Sequence, residues 1–463
     1  MDGEAVARTE TIIEPGISSN KTARHGNEAF NHATIKEPPN PFSCNPPVLY
    51  LALLIGTLCS IMNGYEASLF NNLLETPHFK DYFQVQNSGV WTGIVSSMYE
   101  IGSFTAFPFI GPAVDTFGRR AGLLLGVSIL FIGTIVQGTT AQTAQVGQYM
   151  GGRFLLGFGI AIAASAGPTY IVEIAHPAYR GRITALYNTF WFIGSIVSSG
   201  AIRGALNLPG RTTWLLPTWL QLMCPTIIVV FVWLLPESPR WLYVHGRQSE
   251  AEDILVQFHG KGNKNSAWVR LQLDDFRACL KDDGADKRWW DYRALFRSRS
   301  SIYRLACNCT ISVFGQWAGN AVISYFLSAV LDTAGITNPL KQTDINIGLN
   351  CLSFIVAVIG AYFVDRVGRR PLLLFTNAGC CMTWFAITIT AWNYNSTKSA
   401  SSAKAFIAFV YVFGTIYAAG FNPLLVLYPV EVLSFEMRGK GMAFSYLTGG
   451  AGMSPSPAIG NET

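Results

Sequence analysis

Two charged tracts, each present twice in the same order, place the strongest constraint on how this chain folds. The tract VEIAHPAYRGR at residues 172–182 has a counterpart, VEVLSFEMRGK, at residues 430–440. The tract DTFGRR at residues 115–120 is matched by DRVGRR at residues 365–370, at almost the same offset. Paired charged motifs between long apolar runs are typical of a duplicated membrane unit. The sequence therefore predicts two related helical halves.

The composition favours an all-α polytopic membrane protein. Half of the 463 residues are hydrophobic and only 13% are charged, whereas a soluble chain of this length carries far more charge. The net charge of +5 comes from basic residues in the loops, so it does not indicate nucleic-acid binding. Runs long enough to cross a bilayer lie near residues 48–70, 90–113, 121–140, 147–171, 185–206, 213–235, 304–330, 346–364, 371–393 and 404–428.

These runs divide the chain into five parts. Residues 1–47 are polar and proline-rich and are predicted to be a disordered tail, followed by a six-helix bundle over residues 48–235. Residues 236–300 mix acids and bases and are interpreted as a solvated linker between the halves. Residues 301–452 form a second bundle, and residues 453–463 hold two prolines and no apolar run. Because the first half has six helices, we expect six in the second, yet the sequence predicts about ten complete helices and a truncated C-terminus.

Lysine and arginine set the predicted topology. Basic residues cluster after the second, fourth, eighth and tenth apolar runs and in the 236–300 linker, while the opposite loops hold few. The positive-inside rule then places the N-terminus in the cytosol and the sequon at Asn395 outside, where glycosylation is expected. The nine cysteines are scattered, several in apolar runs, and are interpreted as small buried side chains rather than metal ligands.

The charged tracts, together with PESPRWL at residues 236–242, resemble the sugar porter family of the major facilitator superfamily. The segments GYEASL at residues 64–69, YNTFW at residues 187–191 and QWAGN at residues 316–320 are similar to its fungal hexose and lactose-permease-like branch. The resemblance implies a major facilitator fold of six plus six helices, a monomer in the cell membrane, and alternating access to a sugar site. It implies no cofactor, apart from a proton as the coupling ion. No enzyme activity is expected, because the sequence has no glycine-rich phosphate loop, no Ser/His/Asp arrangement that stands out and no histidine in an apolar run.

Glu66 lies well inside the first apolar run, and a carboxylate there indicates a functional role because its charge is costly in a bilayer. Apolar surroundings favour the neutral form of a carboxyl group, so Glu66 is suited to bind and release a proton. The resemblance implies an arginine partner, and Arg153 matches that position. The alternative is a structural ion pair that exchanges no proton. Glu100, in the second run, either lines a cavity or makes a polar helix contact.

The resemblance also implies a sugar site of amides, hydroxyls and aromatic rings, which exchange hydrogen bonds with sugar hydroxyls and cover ring faces. Gly315 and Val426 replace a glutamine and a tryptophan of the family pattern. The alternative for each polar residue is a hydrogen bond between helices. The candidates are Asn188, Ser195, Gln316 and Asn320, with Tyr325 and Phe326 as an outer aromatic gate.

The resemblance implies that charged residues at the ends of the runs form ion pairs that lock the outward-facing state. They are Asp115, Arg119, Glu173 and Arg180 in the first half and Asp365, Arg369, Glu431 and Arg438 in the second.

The function predicted from the sequence is proton-coupled import of a hexose or disaccharide. Two alternatives stay open: a sugar sensor that does not transport, and an inactive truncated carrier. The substrate and the lipid bilayer are the expected partners.

Overall fold

In the computed structural model, all regular secondary structure of the described residues is helical. The structure describes residues 28–38, 47–74, 76–83, 90–143, 145–283, 296, 298–320, 322–323, 327, 330–332, 335–433, 441, 444–445 and 447–449. The candidates Tyr325, Phe326 and Arg438, and the predicted tail 453–463, lie outside these residues.

The first half runs from α2 to α11, after a short helix α1 at residues 28–36. Its elements are α2 (Pro47–Leu73), α3 (Pro77–Phe83), α4 (Val90–Thr105), α5 (Phe107–Gly111), a π-helical turn (Pro112–Thr116), α6 (Arg119–Thr143), α7 (Val146–Ile174), α8 (Arg180–Thr189), α9 (Trp191–Ala205), α10 (Thr212–Leu220), α11 (Met223–Phe231) and a 3₁₀ turn (Val232–Leu234).

Three short helices, α12 (Pro239–Val244), α13 (Gln248–Phe258) and α14 (Ala267–Asp283), follow. The second half contains α15 (Arg299–Gly315), a π-helical turn (Gln316–Asn320), α16 (Pro339–Val367), α17 (Arg369–Thr397) and α18 (Ala400–Val432). Residues 441, 444–445 and 447–449 are also helical.

Seven segments of the described chain are long and apolar enough to cross a membrane, and they coincide with seven of the ten predicted runs. The other three runs are divided into shorter elements, as is the spanning segment Thr212–Leu234, which comprises α10, α11 and the 3₁₀ turn. Residues 90–113 contain two prolines, Pro108 and Pro112, at the starts of α5 and of the π-helical turn. Residues 185–206 are split at Phe190, and residues 304–330 at the π-helical turn, where Gly319 has a φ of 105°.

Glycines allow two helix pairs of the first half to approach until their backbones touch. A Cβ on Gly64 of α2 would collide with the carbonyl of Trp191, and one on Gly194 of α9 would collide with that of Ile61. A second pair, Gly102 and Gly157, joins α4 to α7 in the same way. Small residues are the usual means of close packing between membrane helices. These contacts fix the rotation of α2 and α4 about their axes.

The duplicated sequence tracts have duplicated backbone geometry. Gly118 and Gly368, the glycines of the DTFGRR and DRVGRR tracts, have φ values of 103° and 87°. A side chain at such a φ is strained, which accounts for glycine at both turns. Each turn precedes a long helix, α6 in one half and α17 in the other. The ends that carry these turns, together with α12–α14, are called the basic face below.

The two halves contact each other mainly through α8 and α9 on one side and α16 and α18 on the other. The residues after 440 pack against the start of the second half. Asn308 of α15 donates to the carbonyl of Gly441 at 2.9 Å, and the Ser445 hydroxyl donates to the Asn308 side chain at 2.7 Å. The described part of this segment is thus anchored on α15 by buried polar contacts.

Within the 1–47 segment that the sequence predicts to be disordered, α1 is docked on α14. The Glu37 carboxylate accepts hydrogen bonds from the Ser266 hydroxyl at 2.5 Å and the Ala267 N–H at 3.1 Å. Trp268 donates its ring N–H to the Glu37 carbonyl, and Phe30 packs edge-on against that ring. A carboxylate at a helix N-terminus complements the partial positive charge there. This contact gives an otherwise polar segment a defined place.

Candidate functional site

A cavity of about 280 Å³ lies between the two halves, midway along the helices. Polar side chains from both halves line it, with apolar residues between them. The polar lining residues are Asn63, Ser68, Asn71, Tyr99, Glu100, Ser103, Asn188, Trp191, Ser195, Ser312, Gln316, Asn320, Asn346, Asn350, Ser353, Tyr417, Asn422 and Ser445.

All four amide and hydroxyl candidates within the described chain line this cavity. Asn188 and Ser195 reach it from α8 and α9, seven residues apart on one face. Gln316 and Asn320 reach it from the π-helical turn, where Asn320 donates to the Gln316 side chain at 3.3 Å. The ring N–H of Trp384 donates to the carbonyl of Ala318 at 3.0 Å and so braces that turn.

The sequence reasoning missed most of the asparagines in the lining. Asn63 and Asn71 belong to α2, Asn346 and Asn350 to α16, and Asn422 to α18. A signal was present, because Asn346 and Asn350 are four residues apart and share one helix face inside an apolar run. Four of these amides are buried, those of Asn71, Asn346, Asn350 and Asn422, and a buried amide in an apolar helix is costly unless it has hydrogen-bond partners.

Hydrogen bonds join the halves on each side of the cavity. Toward the basic face, the Asn188 amide donates to both the carbonyl and the side chain of Asn422, at 2.5 and 3.0 Å. Toward the opposite face, Asn346 donates to Asn72 at 2.7 Å, and Asn72 in turn donates to the hydroxyls of Ser198 and Ser199.

Glu66 and Arg153 are buried in the same part of the first half, but their side chains do not form an ion pair in this structure. Arg153 instead donates to the carbonyl of Val95 at 3.1 Å, and its guanidinium lies 4.4 Å from the centre of the Phe70 ring. One carboxyl oxygen of Glu66, Oε1, has no hydrogen-bond partner. The predicted pair is therefore brought together in one buried region without direct contact.

Glu100 lines the cavity, which is one of the two positions that the sequence left open. Gly102 lies on the face of α4 that packs against α7. Glu100 lies two residues earlier in the sequence, about 200° away around the helix axis. The carboxylate therefore faces away from α7. No lysine, arginine or histidine occurs among the described residues that line the cavity.

A buried charge cluster forms on the basic face of the first half. The Glu173 carboxylate accepts from Nη2 of Arg119 at 3.0 Å, lies 2.8 Å from its Nε, and accepts from the Ser238 hydroxyl at 2.5 Å. Asp115 lies 3.6 Å from the same guanidinium. Arg180, half-buried at the start of α8, is within electrostatic reach of Glu173.

The PESPR segment covers this cluster. Glu237 accepts hydrogen bonds from the backbone N–H groups of Arg119 at 3.0 Å, Arg120 at 3.3 Å and Ser238 at 2.9 Å, at the start of α6. Burial raises the pKa of Glu237 above its ordinary value, and these N–H groups partly offset that effect. Trp241 donates its ring N–H to the carbonyl of Asp115 at 2.8 Å. The segment thus ties the two tracts of the first half together.

The corresponding pair in the second half is much more exposed. Arg369 and Glu431 form a two-pronged ion pair, with Nη2–Oε1 and Nε–Oε2 distances of 2.6 and 3.1 Å. Their side chains are 29% and 37% exposed, against 8% and 1% for Arg119 and Glu173. Asp365 lies in the last turn of α16, but its side chain is outside the described part.

The sequon residue Asn395 is exposed in the last turn of α17, at the end of the bundle opposite the basic face. Two histidines lie on the basic face, where α13 meets the end of α7. His259 is hydrogen-bonded to the carbonyl of Ile174 and to Gln272, and its ring lies 5.2 Å from that of His176. Burial lowers the pKa of His176 to about 4 and that of His259 to about 3.

Within the described residues, no group of three or more histidine, cysteine, aspartate or glutamate side chains could hold a metal ion.

Residues 52–452 match the protein family described as sugar (and other) transporters, and the chain therefore belongs to that family. It is a multi-pass membrane transporter with the major facilitator fold and not an enzyme, as the sequence predicts.

The chain is 28% identical over 419 residues to a high-affinity glucose transporter of Kluyveromyces lactis, covering 86% of this chain and 74% of that protein. It is 25% identical over 417 residues to a quinate permease of Emericella nidulans, covering 84% and 76%.

Among solved structures, the proton:xylose symporter XylE bound to 6-bromo-6-deoxy-D-glucose aligns with a TM-score of 0.75 and 18% identity, over 90% of each chain. This similarity establishes the fold but does not identify the substrate, which has to be inferred from the residues that line the cavity.

Proposed function

We propose that this chain carries a hexose or a disaccharide across the cell membrane by alternating access, coupled to proton movement. The observation that carries the proposal is the cavity of about 280 Å³ between the halves, lined by amides and hydroxyls from both. Each amide offers a carbonyl acceptor and two N–H donors, which suits it to sugar hydroxyls that both donate and accept. Trp191 and Tyr417 add aromatic surface for the faces of the ring.

Alternating access requires contacts between the halves that can open in turn on the two sides of the site. The Asn188–Asn422 contact would close the path toward the basic face, and the Asn72–Asn346 contact would close the opposite path. Asn188, Asn346 and Asn422 also line the cavity, so a bound sugar competes for the same donors and acceptors. Substrate binding is thereby linked to release of one closing contact.

The environment of Glu66 supports proton coupling. A buried carboxylate without a hydrogen-bonded partner is costly, so the arrangement seen here suits a protonated Glu66. Arg153 is held by Val95 and Phe70 and does not depend on Glu66 for its position. Loss of the proton would create a charge that attracts Arg153, and this change in the pair is the proposed link to the movement of the halves.

Glu66→Gln tests the coupling, because glutamine keeps the shape of the side chain but cannot release a proton. In proteoliposomes with an imposed proton gradient, we expect the variant to lose accumulation of labelled sugar above equilibrium while sugar exchange continues. Glu250→Gln, a substitution of the same kind on exposed α13, serves as the control. Accumulation by Glu66→Gln at the level of the control would refute coupling through this residue.

The basic face is assigned to the cytosol on the positive-inside rule. It carries Arg119, Arg120, Arg369, Arg370 and the charged helices α12–α14, so the N-terminus also lies there and Asn395 lies outside. Treatment with an endoglycosidase should increase the electrophoretic mobility of the wild type but not of Asn395→Gln. Modification at Asn20, the sequon of the N-terminal segment, would contradict the assigned orientation.

The transport assignment is tested by uptake in a host that lacks its own hexose carriers. Labelled D-glucose, D-xylose, lactose and quinate are compared, with cells carrying an empty vector as the control. We expect saturable uptake of at least one neutral sugar. Binding of a sugar by the purified protein without uptake would favour a sensor, and absence of both would favour an inactive carrier.

A further inference from the structure

One amide in the lining of the cavity differs from the others in its hydrogen bonding. Asn71 of α2 is 4% exposed and lines the cavity, yet its carbonyl oxygen has no hydrogen-bond partner. The other amide side chains of the lining each take part in at least one hydrogen bond within the described chain. They are Asn63, Asn188, Gln316, Asn320, Asn346, Asn350 and Asn422.

An unpaired amide is unfavourable in this position. Moving an amide out of water is costly unless new hydrogen bonds replace those made to water. Nearly all buried polar groups of native proteins are paired, so an exception requires an explanation. The next residue has the usual arrangement, because Asn72 donates to Ser198 and Ser199 at 3.0 and 3.1 Å and accepts from Asn346 at 2.7 Å. Of two adjacent asparagines, one is therefore fully used by the fold, and the other is available to a ligand.

Asn350, in the second half, also offers an acceptor to the cavity. Its amide nitrogen donates to the carbonyl and to the side-chain oxygen of Asn346, one turn earlier in α16, at 2.9 and 2.8 Å. Both of its N–H groups are then used. Within the described chain, no hydrogen bond reaches its side-chain carbonyl oxygen. Asn350 lines the cavity and can accept a hydrogen bond from a ligand, but it has no donor left to offer.

Both asparagines lie beside the contact that closes the path opposite the basic face. Asn71 directly precedes Asn72 in α2, and Asn350 lies one turn after Asn346 in α16. Asn72 and Asn346 are hydrogen-bonded to each other across the two halves. A ligand held by both Asn71 and Asn350 would therefore bridge the halves next to a contact that already joins them.

We infer that Asn71 and Asn350 form a subsite that accepts hydrogen bonds from hydroxyl groups of the substrate, with one acceptor from each half. The inference rests on the proposed function in taking the cavity between the halves as the substrate site. It adds two specificity-determining residues and the direction of their hydrogen bonds. A fluorine atom in place of a hydroxyl group cannot donate, and a site that hydrogen-bonds a hydroxyl group rejects analogues that leave its own polar group unpaired.

The first test compares the stability of purified full-length variants without ligand. Leucine is close to asparagine in shape but has no polar group. Asn71→Leu removes an unpaired amide, so it should melt at or above the temperature of the wild type. Asn72→Leu is the matched control, and because it removes hydrogen bonds to three residues it should lower the melting temperature by about 5 °C or more. Equal destabilisation of the two variants would mean that Asn71 is paired in the folded protein through bridging water, and it would overturn the inference.

The second test measures affinity for D-glucose, and for the monofluorinated derivatives that replace each hydroxyl group in turn, from the thermal stabilisation of the same proteins. We expect Asn71→Leu and Asn350→Leu each to weaken D-glucose binding by roughly twofold to tenfold, the range of one neutral hydrogen bond. For one derivative, the wild type should show a comparable loss relative to D-glucose. That loss should disappear in Asn350→Leu, because the acceptor that detects the hydroxyl group is gone.

Unchanged affinity for D-glucose in both leucine variants would overturn the inference. It would also be overturned if every derivative that binds weakly to the wild type binds weakly to Asn350→Leu by the same factor. Asn71→Leu therefore has a signature that a structural residue does not share, namely full stability with reduced affinity.

The outcome for this subsite can be separated from the outcome for transport. A wild type that binds D-glucose without transporting it, with affinity reduced in both leucine variants, would refute transport and support the subsite. A wild type that transports D-glucose, with both leucine variants binding as tightly as the wild type, would support transport and refute the subsite. A wild type that is stabilised by none of D-glucose, D-xylose and lactose would refute both.

Discussion

The Arg119–Glu173 pair and its counterpart Arg369–Glu431 allow the effect of burial on one motif to be measured within one molecule. Each is an arginine–glutamate pair at equivalent positions of the two halves. Glu173 is 1% exposed and also holds the Ser238 hydroxyl, whereas Glu431 is 37% exposed. The two pairs should therefore respond very differently to the same substitution.

Glu173→Gln removes one charge of a buried pair and leaves the Arg119 guanidinium without a counter-charge of comparable proximity, since Asp115 is 3.6 Å away. Breaking a buried pair on one side costs about 3–5 kcal/mol of unfolding free energy. The same change at Glu431 breaks an exposed pair, for which about 0–1 kcal/mol is expected. For a folding unit of 150–250 residues, each kcal/mol shifts the melting temperature by about 2–4 °C.

The assay is thermal unfolding of the two purified variants in one detergent. We expect Glu173→Gln to lower the melting temperature by on the order of 10 °C and Glu431→Gln by no more than a few degrees. Arg119→Lys provides a further comparison, because lysine keeps the charge but cannot form both contacts with the carboxylate. Equal losses in the two glutamine variants, or a Glu173→Gln variant as stable as the wild type, would refute the reasoning from burial.

Three further results are expected. Because the pKa values of His176 and His259 are lowered, the folded protein binds fewer protons than the unfolded chain below the ordinary histidine pKa of 6.5. The contribution of these histidines to stability should therefore be constant above pH 6.5 and fall toward pH 4, by up to about 1.4 kcal/mol per pH unit and histidine. Melting temperatures measured across this range test the prediction, and His259→Gln should flatten the curve. Glu37→Gln removes a charge from the start of α14 and should accelerate amide hydrogen exchange in α1 by up to roughly tenfold; unchanged exchange would mean that α1 does not depend on this contact. Asn188→Ala and Asn422→Ala should show a coupling of about 0.5–1.5 kcal/mol in a double-mutant cycle of stability, whereas additive losses would argue against a direct contact.

Hydropathy was sufficient to predict the helical architecture, but it could not predict where helices break. Seven predicted runs are helical segments of spanning length because twenty or so apolar residues have few other options in a bilayer. The run at residues 304–330 contains a π-helical turn whose Gly319 is covered by Trp384, a residue far away in the sequence. Contacts of this kind follow from the folded arrangement and leave no local signal.

The cavity was predicted in part for a related reason. Asn188, Gln316 and Asn320 lie in recognisable motifs, and Ser195 follows Asn188 by two helical turns. Asn346 and Asn350 lie in no such motif, and the helix face that they share was the sequence signal for them. The docking of α1 was not predicted because its sequence is polar, and its place depends on the N-terminus of α14. The separation of Glu66 from Arg153 likewise depends on how Phe70 and Val95 hold the arginine.

The measurement that tests the central claim most directly is counterflow in proteoliposomes that contain the purified full chain. Vesicles are loaded with unlabelled sugar and diluted into a trace of labelled D-glucose, D-xylose, lactose or D-glucosamine. Alternating access through the amide-lined cavity predicts a transient accumulation of at least one labelled sugar inside, which Asn350→Ala should reduce because this residue lines the cavity. Labelled sugar that never exceeds the level in protein-free vesicles, for all four compounds, would contradict the account.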